Sequence, residues 1–433
     1  MRITYIFIIV FICSLGTGLA QQTPAPEQSK TISIVGATAH IGNGELIENS
    51  ILTFEDGKIT AIGASGDIEA SGEIINAEGK HLYPGFIAAN ATLGLVEISA
   101  VRATDDEDEI GTMLPHIRSL IAYNAESKLI ESMRPNGVLM GQIVPRGGRI
   151  SGTSSIMQFD AWNWEDAVVK EDDGLHINWP GSFSRGRWWA GEDPGIKPNE
   201  EYQQHLRELT EFFNSSRAYL SGERKIKNLP YLAMESVFNG DKKVFVHVDG
   251  EREIQDVIEF KKDQNLDELV IVGGYEAHKL SSELKENNIP VLITRVHSRP
   301  ENEDDDYDLP YKLAKLLHNE GVLVGLQSSG SMERMNTRNL PFYAGTTVAY
   351  GMEKEDALSL ITFNVAKILG IEDFAGSLEE GKDATLFISE GDALDMRGNI
   401  LEKAFIQGRE LSLESHQTEL YERYMDKYER ESK

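Results

Sequence analysis

Short apolar runs with a period of two open the chain at residues 31–40, 50–54 and 58–62, with Asp56-Gly57 between the second and the third. Alternation of this kind marks half-buried strands, and an Asp-Gly pair between two such runs marks a hairpin. Residues 73–77 and 81–83 continue the pattern, which returns at the far end at 384–388, 400–406 and 409–413. Two strand-rich ends therefore enclose a long middle.

The middle reads differently. Apolar runs at 244–247, 269–272, 290–294 and 322–326 alternate with helix-period stretches at 254–263, 276–287, 309–319, 340–350 and 354–363. Strand and helix in alternation predict a parallel sheet with crossover helices. Units of this size favour a (β/α)8 barrel, whose functional residues sit at the C-terminal ends of the strands, over a doubly wound open sheet. Residues 159–239 break the pattern and read as an insertion. All five tryptophans, Trp162, Trp164, Trp179, Trp188 and Trp189, fall in its first part, where they pack the segment together or wall a ligand pocket.

Residues 1–20 have the form of a signal peptide: Met1-Arg2, an apolar run from Ile3 to Leu15, and small residues at Gly18 and Ala20. Cleavage there sends the protein to a periplasm or outside the cell. The only cysteine, Cys13, lies in this segment, so the exported chain has no thiol. Arg2 is the only charged residue removed, and the formal charge moves from −28 to −29. Such a balance argues against nucleic acid and anionic lipid as partners. No later segment is apolar and long enough to span a membrane. Residues 21–30 read as a disordered leader and 414–433 as a charged C-terminal helix. Leu420, Tyr424 and Tyr428 recur there every four residues, a stripe suited to packing on the sheet domain or on a second subunit.

Tyr83-Pro84-Gly85-Phe86-Ile87-Ala88-Ala89-Asn90-Ala91-Thr92-Leu93-Gly94 resembles the first barrel strand of the metal-dependent amidohydrolases. The stretches 145–152 (PRGGRISG), 364–370 (NVAKILG) and 376–384 (GSLEEGKDA) are similar to segments of the imidazolonepropionase-like branch. The last contains Gly-x4-Gly-Lys but is no phosphate loop, because Asp383 replaces the Ser or Thr and a strand follows. The resemblance implies a composite β-sandwich from residues 31–83 and 378–413 around a barrel at 84–377. It also implies hydrolysis of a non-peptide, possibly cyclic, C–N bond.

In that family two histidines of the first strand bind a divalent metal, and here Asn90 and Thr92 take their places. The strand-five histidine is matched by His247. The strand-six histidine falls on Gly273 and the strand-eight aspartate on Ser329. Amide and hydroxyl are poor ligands for zinc, so no cofactor is assigned; zinc or another divalent metal enters only if the site has been rebuilt. His247 and His297 are the candidate acid–base pair. Arg146, Arg149, Glu276, Arg295 and Arg338 are the candidate contacts for a small-molecule substrate or ligand. The competing reading is a non-catalytic ligand-binding protein, or one that stabilises a homologous partner subunit or pairs with its own copy. Two acidic runs, 105–109 and 301–306, lack EF-hand spacing and read as solvated loops.

Overall fold

The computed structural model describes residues 23–431 except 187–189, 192, 194, 225 and 331. The signal peptide expected at residues 1–20 and two of the tryptophans, Trp188 and Trp189, lie outside the described residues. Among the described residues no helix is long and apolar enough to cross a membrane.

The N-terminal strands are β1 (Ile32–His40), β2 (Leu46–Glu55), β3 (Lys58–Ala64), β4 (Glu73–Asn76) and β5 (His81–Pro84). β2 and β3 form the hairpin that Asp56-Gly57 predicts, with both residues at positive φ. The barrel follows with β6 (Phe86–Ala91), β7 (Val138–Ile143), β8 (Ile150–Gln158) and β9 (Val168–Asn178). A small ribbon of β10 (Phe183–Arg185) and β11 (Ile196–Pro198) precedes β12 (Lys243–Val248), β13 (Leu269–Gly273), β14 (Val291–Ile293) and β15 (Val324–Leu326). Last come β16 (Leu386–Ser389), β17 (Leu401–Ile406) and β18 (Arg409–Glu410), which return to the first sheet through antiparallel pairing of β16 with β5.

Both chain ends thus meet in one continuous hydrogen-bonded sheet, ordered β18-β17-β16-β5-β1-β2-β3 with β4 also on β1. What was expected as a sandwich is described by that single sheet. Its core is apolar, built around Ile34, Leu52, Leu82, Leu386 and Phe405. Asp160, just after β8, fastens it to the barrel: its carboxylate accepts from Arg409 at 2.8 Å, faces Arg134 at 3.3 Å and accepts the amide of Ala25 at 2.9 Å.

The eight barrel strands are ordered β6 to β9 and then β12 to β15, and a parallel bridge between Ala89 and Gln327 brings the two ends together. The open-sheet alternative is therefore not the one adopted. One feature departs from a regular (β/α)8 barrel. β8 pairs antiparallel with both β7 and β9, so β7, β8 and β9 are joined as hairpins without crossover helices. The departure also corrects the insertion expected at 159–239, which contains the barrel strand β9 and the helix Tyr202–Ser221.

Inside the barrel Ile87, Ala89, Met140, Ile156, Phe245, Val270, Val272 and Leu292 form an apolar floor with the helix Phe363–Leu369. Lys170, near the start of β9, caps that helix by donating to the carbonyls of Leu369 and Gly370 at 3.0 and 3.1 Å. The outer helix Glu251–Asp263 buries Ile254, Val257, Ile258 and Phe260, with Glu251 and Glu253 in its first turn and Lys261 and Lys262 in its last, the favourable arrangement for the helix dipole. The C-terminal helix His416–Glu431 leaves Tyr421, Tyr424, Met425 and Tyr428 exposed, so its aromatic stripe does not pack on this chain.

Candidate functional site at the barrel mouth

Above the apolar floor the barrel fills with polar side chains. Asn90, the last residue but one of β6, has φ at 52°, a left-handed conformation that Asn tolerates better than most residues. Its amide nitrogen donates to Gln327 Oε1 at 2.7 Å, and its amide oxygen accepts from Arg146 at 2.6 Å. Arg146 also donates to the Asn90 carbonyl at 2.8 Å. Thr92 is equally committed. Its hydroxyl donates to Glu333 Oε2 at 2.7 Å and accepts from Arg334 at 3.2 Å, and its amide donates to Glu333 Oε1 at 3.2 Å.

A second chain of bonds crosses the middle of the barrel. Gln142 on β7 and Ser154 on β8 both donate to the buried Asp173 of β9, at 2.7 and 2.8 Å. Ser154 Oγ lies 2.9 Å from His176 Nε2, and His176 Nδ1 lies 3.0 Å from His247 Nε2. With the serine proton directed to Asp173, each imidazole donates from Nε2 and His247 Nδ1 is left as an acceptor. Burial pushes the Asp173 carboxyl up. Burial, then the neighbouring imidazole and Arg146, holds His176 well below the ordinary histidine value. His247 falls to about 3, through burial first and then Arg146. Both rings are neutral at physiological pH.

The residues singled out from sequence separate here. Asn90, Thr92, Arg146 and His247 belong to the mouth. Arg149 braces it by donating to the Asn178 carbonyl at 2.7 Å, while Asn178 donates back to the carbonyls of Gly147 and Gly148. His297 does not pair with His247: its Nε2 lies 2.7 Å from Thr346 Oγ1, and its ring meets Tyr343 edge-on at 4.8 Å. Arg295 lies in the same neighbourhood and draws the Tyr343 hydroxyl into its field. Arg338 is exposed, and its carbonyl accepts from Asn136. Glu276 is on the rim, bonded to the Glu251 amide and Lys279. Trp179 is buried and donates to Tyr202 at 3.3 Å, the packing role, whereas Trp162 is exposed. The acidic runs are partly tied down: Glu107 pairs with Arg334 and Asp305 accepts from Tyr275.

Sequence reading missed His176, Ser154, Asp173, Gln142 and Gln327. The alternation around His176 in β9 was the available signal, hidden because that stretch read as insertion.

The position to which the sequence resemblance assigns a strand-six histidine is crowded by a neighbour. Gly273 has φ at 104°, and a Cβ added there would lie 2.4 Å from Asp249 Oδ1. The carboxylate from the end of β12 therefore fills the space a side chain at 273 would need. Ser329 is half-buried beyond β15, and Gln327 reaches Asn90 in its stead. Among the described residues no group of three or more His, Cys, Asp or Glu side chains is placed to hold a metal ion.

Residues 308–411 match the model of the amidohydrolase family. An amidohydrolase from Thermotoga maritima superposes with a TM-score of 0.77 at 25% identity, covering 88% of this chain and 99% of that one. The chain is related to the amidohydrolase superfamily. A curated 5'-deoxyadenosine deaminase from Methanobrevibacter smithii is 22% identical over 375 residues, covering 81% of each protein. Molinate hydrolase superposes with a TM-score of 0.55 at 17% identity, covering 90% of this chain and 96% of that chain, a likeness of fold. In this amidohydrolase-related barrel the polar mouth lies at the C-terminal ends of β6, β9 and β12, where barrel folds carry their functional groups.

Proposed function

We propose that this protein is an exported, amidohydrolase-related barrel that binds a small polar C–N compound at its mouth without the family's metal-activated water. One observation carries the reading: the side chains at the family's metal positions are already bonded to neighbouring side chains. Asn90 spends its amide on Gln327 and Arg146, and Thr92 spends its hydroxyl on Glu333 and Arg334. Gly273 offers no donor, which leaves His247. A divalent metal needs three or four donors converging on one point, and this donor set does not fit one. The retained barrel, the buried positive charge of Arg146 and the His247 Nδ1 left as an acceptor support a role in capture.

A second reading has its own support in the bonds from Asp173 through Ser154 and His176 to His247. A chain of this kind orients the outer imidazole and fixes its tautomer, as a hydrolase without metal requires.

Elemental analysis of the mature protein, expressed with zinc, manganese and iron supplied in turn, tests the first reading. The expected result is far less than one metal per chain, with no change in His247→Ala. Stoichiometric metal that disappears in that variant overturns it. Hydrolysis of cyclic-amide and purine C–N substrates by the metal-free protein, abolished in His247→Gln, would establish the second reading instead.

A further inference from the structure

Beside the polar network, a hollow of about 570 Å³ opens between the end of β12, the start of the helix Glu251–Asp263 and the loop at Glu301. Six carboxylates line it, those of Asp249, Glu251, Glu253, Asp256, Glu276 and Glu301, against the two cations Arg252 and Lys279. Several are occupied: Asp256 accepts from Tyr202, Glu253 from the Ser182 amide, and Glu276 from Lys279 and the Glu251 amide. Among the described residues Asp249 holds only a long bond from the Tyr275 amide, at 3.3 Å. Tyr275 fixes the rim by donating to Asp305 at 2.6 Å and accepting the Glu301 amide at 3.0 Å.

The second observation is independent of charge. Ser182 lines the same hollow, is 4% exposed, and its hydroxyl oxygen has no hydrogen-bond partner. A buried hydroxyl without a partner is destabilising, so a native protein that keeps one has a use for it. Tyr275 and Phe183 give the hollow apolar wall as well.

We infer that this hollow is a binding site for a small organic cation, an ammonium or guanidinium group held by Asp249 and Glu301 with Ser182 accepting one of its N–H bonds. The inference goes beyond the reading of the mouth: it concerns a neighbouring hollow and names the class of ligand that hollow takes. A metal ion is the poorer fit, because no three carboxylates converge and the volume is that of a small molecule. Burial and then the neighbouring carboxylates push both Asp249 and Glu301 up, so an entering positive charge relieves a repulsion already present.

Titration calorimetry of the mature protein with agmatine, with the uncharged N-butylurea and with calcium chloride tests it. Agmatine is expected to bind one to one, at least tenfold more weakly in Asp249→Asn and in Glu301→Gln, several-fold more weakly in Ser182→Ala, and unchanged in the surface control Glu69→Gln. Circular dichroism confirms that each variant is folded. No agmatine binding, or binding that Asp249→Asn and Glu301→Gln leave intact, overturns the inference. So does calcium bound stoichiometrically and lost in the same variants. Preference for N-butylurea would overturn the cation and leave the ligand-site reading standing, whereas stoichiometric transition metal at the barrel centre would overturn that reading and not this one.

Discussion

Asn90 and Gln327 close the barrel twice, once through the backbone bridge from Ala89 to Gln327 and once through the side-chain bond from Asn90 Nδ2 to Gln327 Oε1 at 2.7 Å. The first and last barrel strands are thus joined by amides at their C-terminal ends, where barrel folds carry functional groups. Removing the Asn90 side chain strands both Gln327 and Arg146. Asn90→Ala should therefore cost about 2–4 kcal/mol, the range for leaving buried polar and charged groups unpaired. Asn90→Asp should cost less, because Arg146 gains a carboxylate partner while only Gln327 loses its donor. The urea midpoints of the two variants, compared with the parent, give the order; equal midpoints would show that the Arg146 bond contributes nothing.

His247 makes a pH prediction whose sign follows from its environment. Its folded value, about 3, lies below the ordinary histidine value of 6.5, so only the unfolded chain takes up a proton between them. The stability this group carries is complete above pH 6.5 and declines as pH falls toward 3. Replacing it in His247→Gln should shrink the loss of stability between pH 7 and pH 5, measured as the difference between the urea curves of the two proteins. An identical difference at both pH values would mean that the imidazole titrates normally.

Gly273 and Asp249 exclude each other's side chains. Gly273→Ala combines a positive φ with a Cβ 2.4 Å from Asp249 Oδ1 and should destabilise by about 2 kcal/mol or more. The double variant Gly273→Ala with Asp249→Gly should recover part of that loss, the clash being relieved while the backbone strain stays. Additive losses in the thermal midpoints would place Asp249 elsewhere.

The coupling between sheet and barrel runs through Asp160 and Arg409, a buried carboxylate and a largely buried guanidinium 2.8 Å apart. Arg409→Met leaves Asp160 with Arg134 and the Ala25 amide, and should cost about 3 kcal/mol, the lower end for breaking a buried pair. Limited proteolysis should then cut near the C-terminal strands before the barrel. Simultaneous cleavage of both regions would show that another contact carries the coupling.

The sequence alone determined the hairpin at Asp56-Gly57, the strands of both chain ends, the alternation of the later barrel units and the Asn90-x-Thr92 spacing in the first barrel strand. Each of these is written in local spacing or in a short motif, and local spacing survives without the fold. Only tertiary structure decided that β8 runs antiparallel, because direction is set by pairing with β7 and β9 and leaves no mark on the periodicity of a fully buried strand. Only tertiary structure brought Asp173, Ser154, His176 and His247 into one chain of bonds, since they come from three strands and share no motif. It also separated His297 from His247, which sequence had paired because both follow apolar strands: hydrogen bonding ties His297 to Thr346. A strand end tells which residues reach a barrel rim, but distances across that rim are fixed by closure, and closure is a property of all eight strands together.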